Sequence, residues 1–229
     1  MEIFELKLNR KRIQILRDRT LCRLGYNTGE TPDSKIEEAL DRALEITKKH
    51  VKPKGIFKIL QVYGTTEEDV QTEAGIIEST MFARLVRMCK GDSSVVFMVT
   101  TIGDTLQKCR ESDSSTHCQL VFDAVESELT EMLADGIEES WRRHADNSCL
   151  QYSSRFSPGY CDMDLKQQHI IFNTLDAARI GVSLNPYCVM SPGKSISSFA
   201  IIASEVPVQT ACVFCPKSSC PWRRSLLQD

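Results

Sequence analysis

The longest helical pattern in the chain constrains its fold most. Between Cys118 and His144, apolar side chains recur three and four residues apart: Leu120, Val121, Ala124, Val125, Leu129, Met132, Leu133, Gly136, Ile137 and Trp141. That period predicts one long helix with an apolar stripe, and the stripe must be covered by other elements. Ser94–Thr101 and Ser195–Ala203 are apolar enough to read as buried strands, and residues 56–63, rich in branched and aromatic side chains, as another closed by Gly64. Thr31-Pro32-Asp33 starts a helix, with Thr31 as cap and Pro32 in its first turn. Its buried face is Ile36, Ala39, Leu40, Ala43, Leu44 and Thr47, and Pro53 and Gly55 end the unit. Ser79 caps a further helix that stops before Gly91. Residues 164–178 predict one more, with Leu165, His169, Ile170, Phe172 and Leu175 facing in, and residues 181–184 a short strand. Strands and helices do not alternate strictly. The expected class is therefore α+β, helices packed on a mostly antiparallel or mixed sheet.

Composition narrows the function classes. A chain of 229 residues, 41% hydrophobic and 26% charged, suits one globular domain. We expect that domain at residues 1–205 and a cysteine-rich tail at residues 206–229. A net charge of -3 supplies no basic field for nucleic acid or anionic lipid. The longest apolar runs are too short to span a bilayer, and the first residues lack the continuous apolar stretch of a signal peptide. A cytoplasmic location is the expectation. Neither a dinucleotide fingerprint nor a phosphate-binding loop is present.

Arg155-Phe-Ser-Pro-Gly-Tyr160 is the segment best equipped to bind a ligand. A guanidinium can hold a carboxylate through two hydrogen bonds. Pro158-Gly159 makes a tight turn, Gly159 lets a ligand approach the backbone, and Tyr160 offers a flat face and a hydroxyl. The parts suit a small zwitterion carrying an aromatic base; a plain surface turn is the competing reading.

Arg155-x-x-x-Gly159-Tyr160 resembles the S-adenosylmethionine-binding motif of the activation domain of cobalamin-dependent methionine synthase. The surroundings are similar too, and in the same order: Leu24-Gly25-Tyr26, Thr101-Ile-Gly103, residues 180–184, Met190-Ser-Pro192 and Ser195-Ile-Ser197. The resemblance spans residues 21–203 and implies a twisted antiparallel sheet with packed helices. It implies that Arg155 binds the methionine carboxylate, that Ser157 and Gly159 give backbone contacts, and that Tyr160 flanks the ligand. It also implies a role in reductive methylation of cob(II)alamin on a partner corrinoid protein or B12-dependent methyltransferase, with an electron from a donor protein. No general base is required, because the nucleophile is the corrinoid's cobalt and the protein positions the methyl donor. The family's final Ser-x-Ser-Gly ends here in Ser198. The chain contains no folate-, homocysteine- or cobalamin-binding module, so methionine synthesis is not its own activity.

Of ten cysteines, seven (Cys22, Cys89, Cys109, Cys118, Cys149, Cys161, Cys188) are scattered and read as small buried residues. Cys212, Cys215 and Cys220 have C-x2-C-x4-C spacing, which suits an iron–sulfur cluster or zinc, with a redox or inert thiol group as the remaining option. Cys161 or Cys188 can supply a fourth ligand, or the site is open. The four histidines show no ligand spacing. Two functional classes follow. One is a corrinoid-reactivating, S-adenosylmethionine-dependent enzyme. The other is a non-catalytic S-adenosylmethionine sensor with a structural zinc tail.

Overall fold

A computed structural model describes residues 3–27, 29–207, 211–215 and 219. Its centre is an antiparallel sheet of seven strands: β1 (Ile3–Glu5), β2 (Lys54–Thr65), β3 (Asp69–Thr72), β4 (Gly75–Glu78), β5 (Ser94–Thr101), β6 (Gln151–Tyr152) and β9 (Ser195–Ala203). The order is β4-β3-β2-β5-β9-β6, with β1 and β3 on the same edge of β2. β7 (Ser183–Leu184) and β8 (Met190–Ser191) form a separate ribbon. The helices are α1 (Arg10–Arg23), α2 (Ser34–His50), α3 (Thr80–Met88), α4 (Thr105–Glu111), α5 (Thr116–Asn147) and α6 (Gln168–Thr174). The α+β class is as expected.

The apolar continuity of β5 and β9 has a direct cause: both faces of these strands are covered. Val95, Phe97 and Val99 join Phe199 and Ile201 in a core under α3 and α6. The alternate residues, Val96, Ala200 and Ile202, meet Trp141 of α5 on the other face, and Met98 meets Ala134 and Ile137. Behind α5, a further core joins it to α1, α2 and α4 through Leu16, Leu40, Leu106, Val125 and Leu129. The molecule is thus four layers: small helices, sheet, α5, then the remaining helices.

Gly55 brings α5 close to the sheet. A Cβ there would lie 2.7 Å from Ile137 Cδ1, 2.9 Å from Thr100 Cγ2 and 3.3 Å from the Val99 carbonyl. Gly55→Ala is expected to lower the unfolding free energy by about 1–3 kcal/mol, the overpacking range. Urea unfolding with an unchanged m-value checks this, and wild-type stability would mean that α5 lifts off the sheet without penalty.

Several expectations need correction. The cap of α2 is Asp33, whose Oδ1 accepts from Lys35 N at 2.9 Å, and not Thr31. Gly55 lies inside β2, which runs on past Gly64 with a register shift between Val62 and Gly64. Residues 164–178 hold no single helix: a 3-10 turn at Leu165–Gln167 leads into α6, and a second turn, Ala177–Ile180, follows a break at Leu175, whose backbone is extended. Within that segment Ile171 and Leu175 are buried and Ile170 and Phe172 half-buried against the core, while Leu165 and His169 are exposed. On α5, Leu120 is exposed, although the adjacent Val121 and Phe122 are buried. β1, α1, the β3–β4 hairpin and α4 carry patterns too weak to announce them in the sequence. Among the described residues, no helix is long and apolar enough to cross a membrane.

Candidate functional site

The Arg155 segment lies along the free edge of β9. Phe156 N donates to the Phe199 carbonyl at 2.7 Å, Phe199 N returns the bond at 2.8 Å, and Ser153 N donates to the Ile201 carbonyl at 2.9 Å. Side chains alternate across an extended segment. Phe156 therefore enters the core, with its ring edge-on to Phe82 at 5.1 Å, and Arg155 points to the opposite side, toward α5.

There it meets a carboxylate stripe. Glu131, Asp135 and Glu138 follow at helical spacing and share one face of α5. Arg155 Nε bonds Glu138 at 2.7 Å, and Nη2 reaches Glu131 at 3.2 Å and Asp135 at 3.3 Å. Arg155 keeps only 11% of its side chain exposed. Its Nη1 is buried, with no hydrogen-bond partner among the described residues. Arg19 also pairs with Asp135 at 3.1 Å and Arg142 with Glu138 at 2.6 Å, so the three carboxylates share three guanidinium groups. The sequence reading of a guanidinium open to a ligand carboxylate missed this stripe, because acidic residues on a long helix look like a solvated face.

After Phe156 the chain turns. Tyr160 N donates to the Ser157 carbonyl at 3.2 Å, and Gly159 N donates to the Met163 carbonyl at 2.9 Å. Gly159 has φ +89°, which a side chain rarely adopts. Its amide is thus engaged within the turn. Tyr160 projects with 68% exposure. Asp162 fixes the far end: its carboxylate accepts from Ser79 Oγ at 2.7 Å and from Met81 N at 2.9 Å, at the start of α3.

A cavity of about 480 Å³ opens here. Its wall includes Arg155, Ser157 and Tyr160, joined by Glu131 from α5, Met190 from β8 and Ser195–Ser197 of β9. The early residues of β9 are held by Ser195 Oγ, which bonds Thr101 Oγ1 at 2.9 Å and the Pro192 carbonyl at 2.7 Å. Segments far apart in sequence therefore converge on one wall. Tyr160 and Leu165 leave apolar surface exposed at this wall, and the turn before Met190 exposes Tyr187 and Val189.

In a solved structure, the MetH reactivation domain bound to AdoHcy, the same architecture occurs: the TM-score is 0.65, and the match covers 92% of this chain and 80% of that one. The chain has the MetH reactivation domain fold. Sequence identity is 14%, so the likeness is one of fold. No family model and no curated protein matches the sequence. The sheet of the MetH-like domain is antiparallel throughout its pairings, as the resemblance implied.

The cysteines of this MetH-like domain divide differently from the expectation that the scattered ones are buried. Cys188 alone is buried among the seven; Cys22, Cys149 and Cys161 are exposed. Cys188 Sγ lies 3.4 Å from His169 Nε2. Although Cys161 exposes part of its surface, burial against its neighbours pushes the thiol up to about 11, with Cys215, Cys212 and Asp162 adding to the rise. Cys212 and Cys161 both line the cavity. Cys220 lies outside the described residues, and among those described no group of three or more His, Cys, Asp or Glu encloses a metal position.

Proposed function

We propose that this chain binds S-adenosylmethionine in the cavity beside residues 155–160 and delivers its methyl group to cob(II)alamin carried by a partner corrinoid protein. The observation that carries the reading is convergence. The motif residues Arg155, Ser157 and Tyr160 and the downstream residues Met190 and Ser195–Ser197 lie around one cavity. The cavity is within the range of about 300–1,000 Å³ usual for small-ligand sites.

The donor set fits the molecule. Arg155 lines the cavity, and its guanidinium, whose Nη1 has no hydrogen-bond partner among the described residues, suits the amino-acid carboxylate. Glu131 in the wall complements the ammonium or the sulfonium. The exposed ring of Tyr160 gives an aromatic face for the base. In the reaction, one electron from a donor protein reduces the partner's cobalt. A cobalt–carbon bond then forms as the sulfur–methyl bond breaks, and the bonding pair stays on sulfur, leaving S-adenosylhomocysteine. The residues of this chain bind, orient and exclude water. The exposed Tyr160, Leu165, Tyr187 and Val189 suit a surface on which the partner docks. The tail, through Cys212, Cys215 and Cys220, is read as a metal-binding segment.

The test is spectral. A cob(II)alamin-loaded corrinoid protein from the same organism, a strong reductant and S-adenosylmethionine should yield methylcobalamin only when this chain is present. Arg155→Lys keeps a cation for Glu138 but loses the planar fork, and should weaken S-adenosylmethionine binding by about tenfold or more in calorimetry. If binding occurs but every corrinoid protein of the organism stays cob(II), the sensor reading takes its place.

A further inference from the structure

We propose that Gln168 selects the adenine base of the ligand, its side-chain amide bonding the polar edge of the ring. This rests on the reading of the cavity as an S-adenosylmethionine site and names the residue that reads its nucleoside end.

Gln168 is the first residue of α6, lines the cavity and is only 5% exposed. Its Oε1 is buried, with no hydrogen-bond partner among the described residues. A buried amide oxygen without a partner costs free energy, and folded proteins leave few of them. The residue before it shows an engaged amide. Glu78 N donates to Gln167 Oε1 at 3.2 Å, and Gln167 Nε2 donates to Glu78 Oε2 at 3.3 Å. That exchange ties the start of α6 to β4. Gln168 thus stands on a docked backbone with its own carbonyl unpaired. Other polar side chains of the cavity wall are engaged within the fold: the Asp162 carboxylate accepts from Ser79 Oγ and Met81 N, and Ser195 Oγ bonds Thr101 Oγ1 and the Pro192 carbonyl.

The two sides of the cavity differ. Arg155 lies on the α5 side of β9, together with Glu131. Phe156, Met163 and the apolar residues of α6 lie on the other side, in the core under α3. Leu165, three residues before Gln168, closes on the motif turn, since a Cβ on Gly159 would lie 3.1 Å from Leu165 Cδ1. Gln168 therefore sits beside the turn that carries Tyr160 and across the sheet edge from the guanidinium. A zwitterion anchored by its carboxylate at Arg155 extends its nucleoside toward Tyr160 and Gln168.

The chemistry follows from the donor pattern. An amide carries an acceptor oxygen and a donor N–H side by side. Adenine carries the complement: its exocyclic amino group donates, and the neighbouring ring nitrogen accepts. The two meet through a pair of parallel hydrogen bonds, the pairing by which Asn and Gln single out adenine in nucleic acids. The last torsion of a glutamine side chain turns over a broad range, so the amide plane follows the base. Burial sharpens the choice, because a base without the amino group leaves the buried oxygen unpaired.

Calorimetry on the full chain tests this with two probes: S-adenosylhomocysteine, and its analogue in which hydrogen replaces the exocyclic amino group of the base. Wild type should prefer the first by at least about tenfold. Gln168→Met keeps the length of the side chain and removes both amide atoms. It should bind S-adenosylhomocysteine at least about tenfold more weakly, and bind the two probes within about twofold of each other. Gln168→Glu keeps an acceptor but sets a carboxylate against the ring nitrogen, and should weaken S-adenosylhomocysteine binding by at least about tenfold as well. Because the buried oxygen is unpaired in the free chain, ligand-free Gln168→Met should melt no lower than wild type. Equal affinity of wild type for the two probes overturns the proposal and leaves the cavity reading standing. A preference that survives in both variants does the same. Ligand-free Gln168→Met melting well below wild type would show the amide to be paired within the fold, which also overturns the proposal. No binding of S-adenosylhomocysteine to wild type overturns both.

Discussion

Replacing Arg155 by alanine is expected to lower the unfolding free energy by about 3 kcal/mol and to abolish S-adenosylmethionine binding. The two losses have one origin. Glu138 is only 7% exposed, and Arg155 Nε bonds its Oε1 at 2.7 Å. Without the guanidinium, a buried carboxylate loses one of its two arginine partners, and removing one half of a buried pair costs about 3–5 kcal/mol. The lower end applies here, because Arg142 still bonds Glu138 Oε2 at 2.6 Å. A second variant separates folding from binding. Arg155→Ala combined with Glu138→Gln removes the stranded charge and should recover most of the stability, while binding stays lost. Urea unfolding and calorimetry on the single and double variants read the two effects. A loss below about 1 kcal/mol in the single variant, the range of exposed ion pairs, would mean that the arginine does not clamp α5.

Trp141→Ala is expected to cost about 3–5 kcal/mol, the range for truncating a buried aromatic residue. Trp141 is 1% exposed and is the largest fully buried side chain of the protein's described residues. It fills the space between α5 and the rear face of β5 and β9, against Val96, Ala200 and Ile202. Its ring also meets Tyr152 edge-on at 5.7 Å. The consequence reaches the cavity. Trp141 stands one turn from Glu138, so its packing sets the height of the acidic stripe over Arg155. Weakened S-adenosylmethionine binding at temperatures where the variant remains folded is therefore expected as well. Chemical unfolding measures the first effect. A loss of less than about 1.5 kcal/mol would show that other contacts seat the helix.

Both predictions concern contacts that the sequence announces unevenly. The Trp141 position was legible, because it falls on the apolar stripe of the long helix. The Glu131–Asp135–Glu138 stripe was not, because nothing local distinguishes a carboxylate that faces solvent from one that faces a guanidinium on another element. The same holds for the cap of α2. Thr31 and Asp33 are both good caps, and the choice of Asp33 rests on its bond to Lys35 N. In residues 164–178 the apolar spacing suited a helix, yet the chain breaks into α6 and two 3-10 turns as it wraps the core.

By itself, the sequence determined what periodicity and residue type determine. Ser94–Thr101 and Ser195–Ala203 are strands because each carries a continuous apolar run, residues 95–99 and 199–203, and α5 is a helix because its apolar residues recur with the helical period. The α+β class follows from their order. It also picked out Arg155–Tyr160, since a guanidinium beside a Pro-Gly turn is an unusual local combination. Only the tertiary structure decided what surrounds that segment. Pairing along β9 turned Arg155 toward α5, convergence of β8 and β9 completed the cavity wall, and the start of α3 seated Asp162 at its far end. Such meetings join residues far apart in the chain. Their partners are chosen by the packing of whole elements, and no spacing in the sequence records which face of one element meets which face of another.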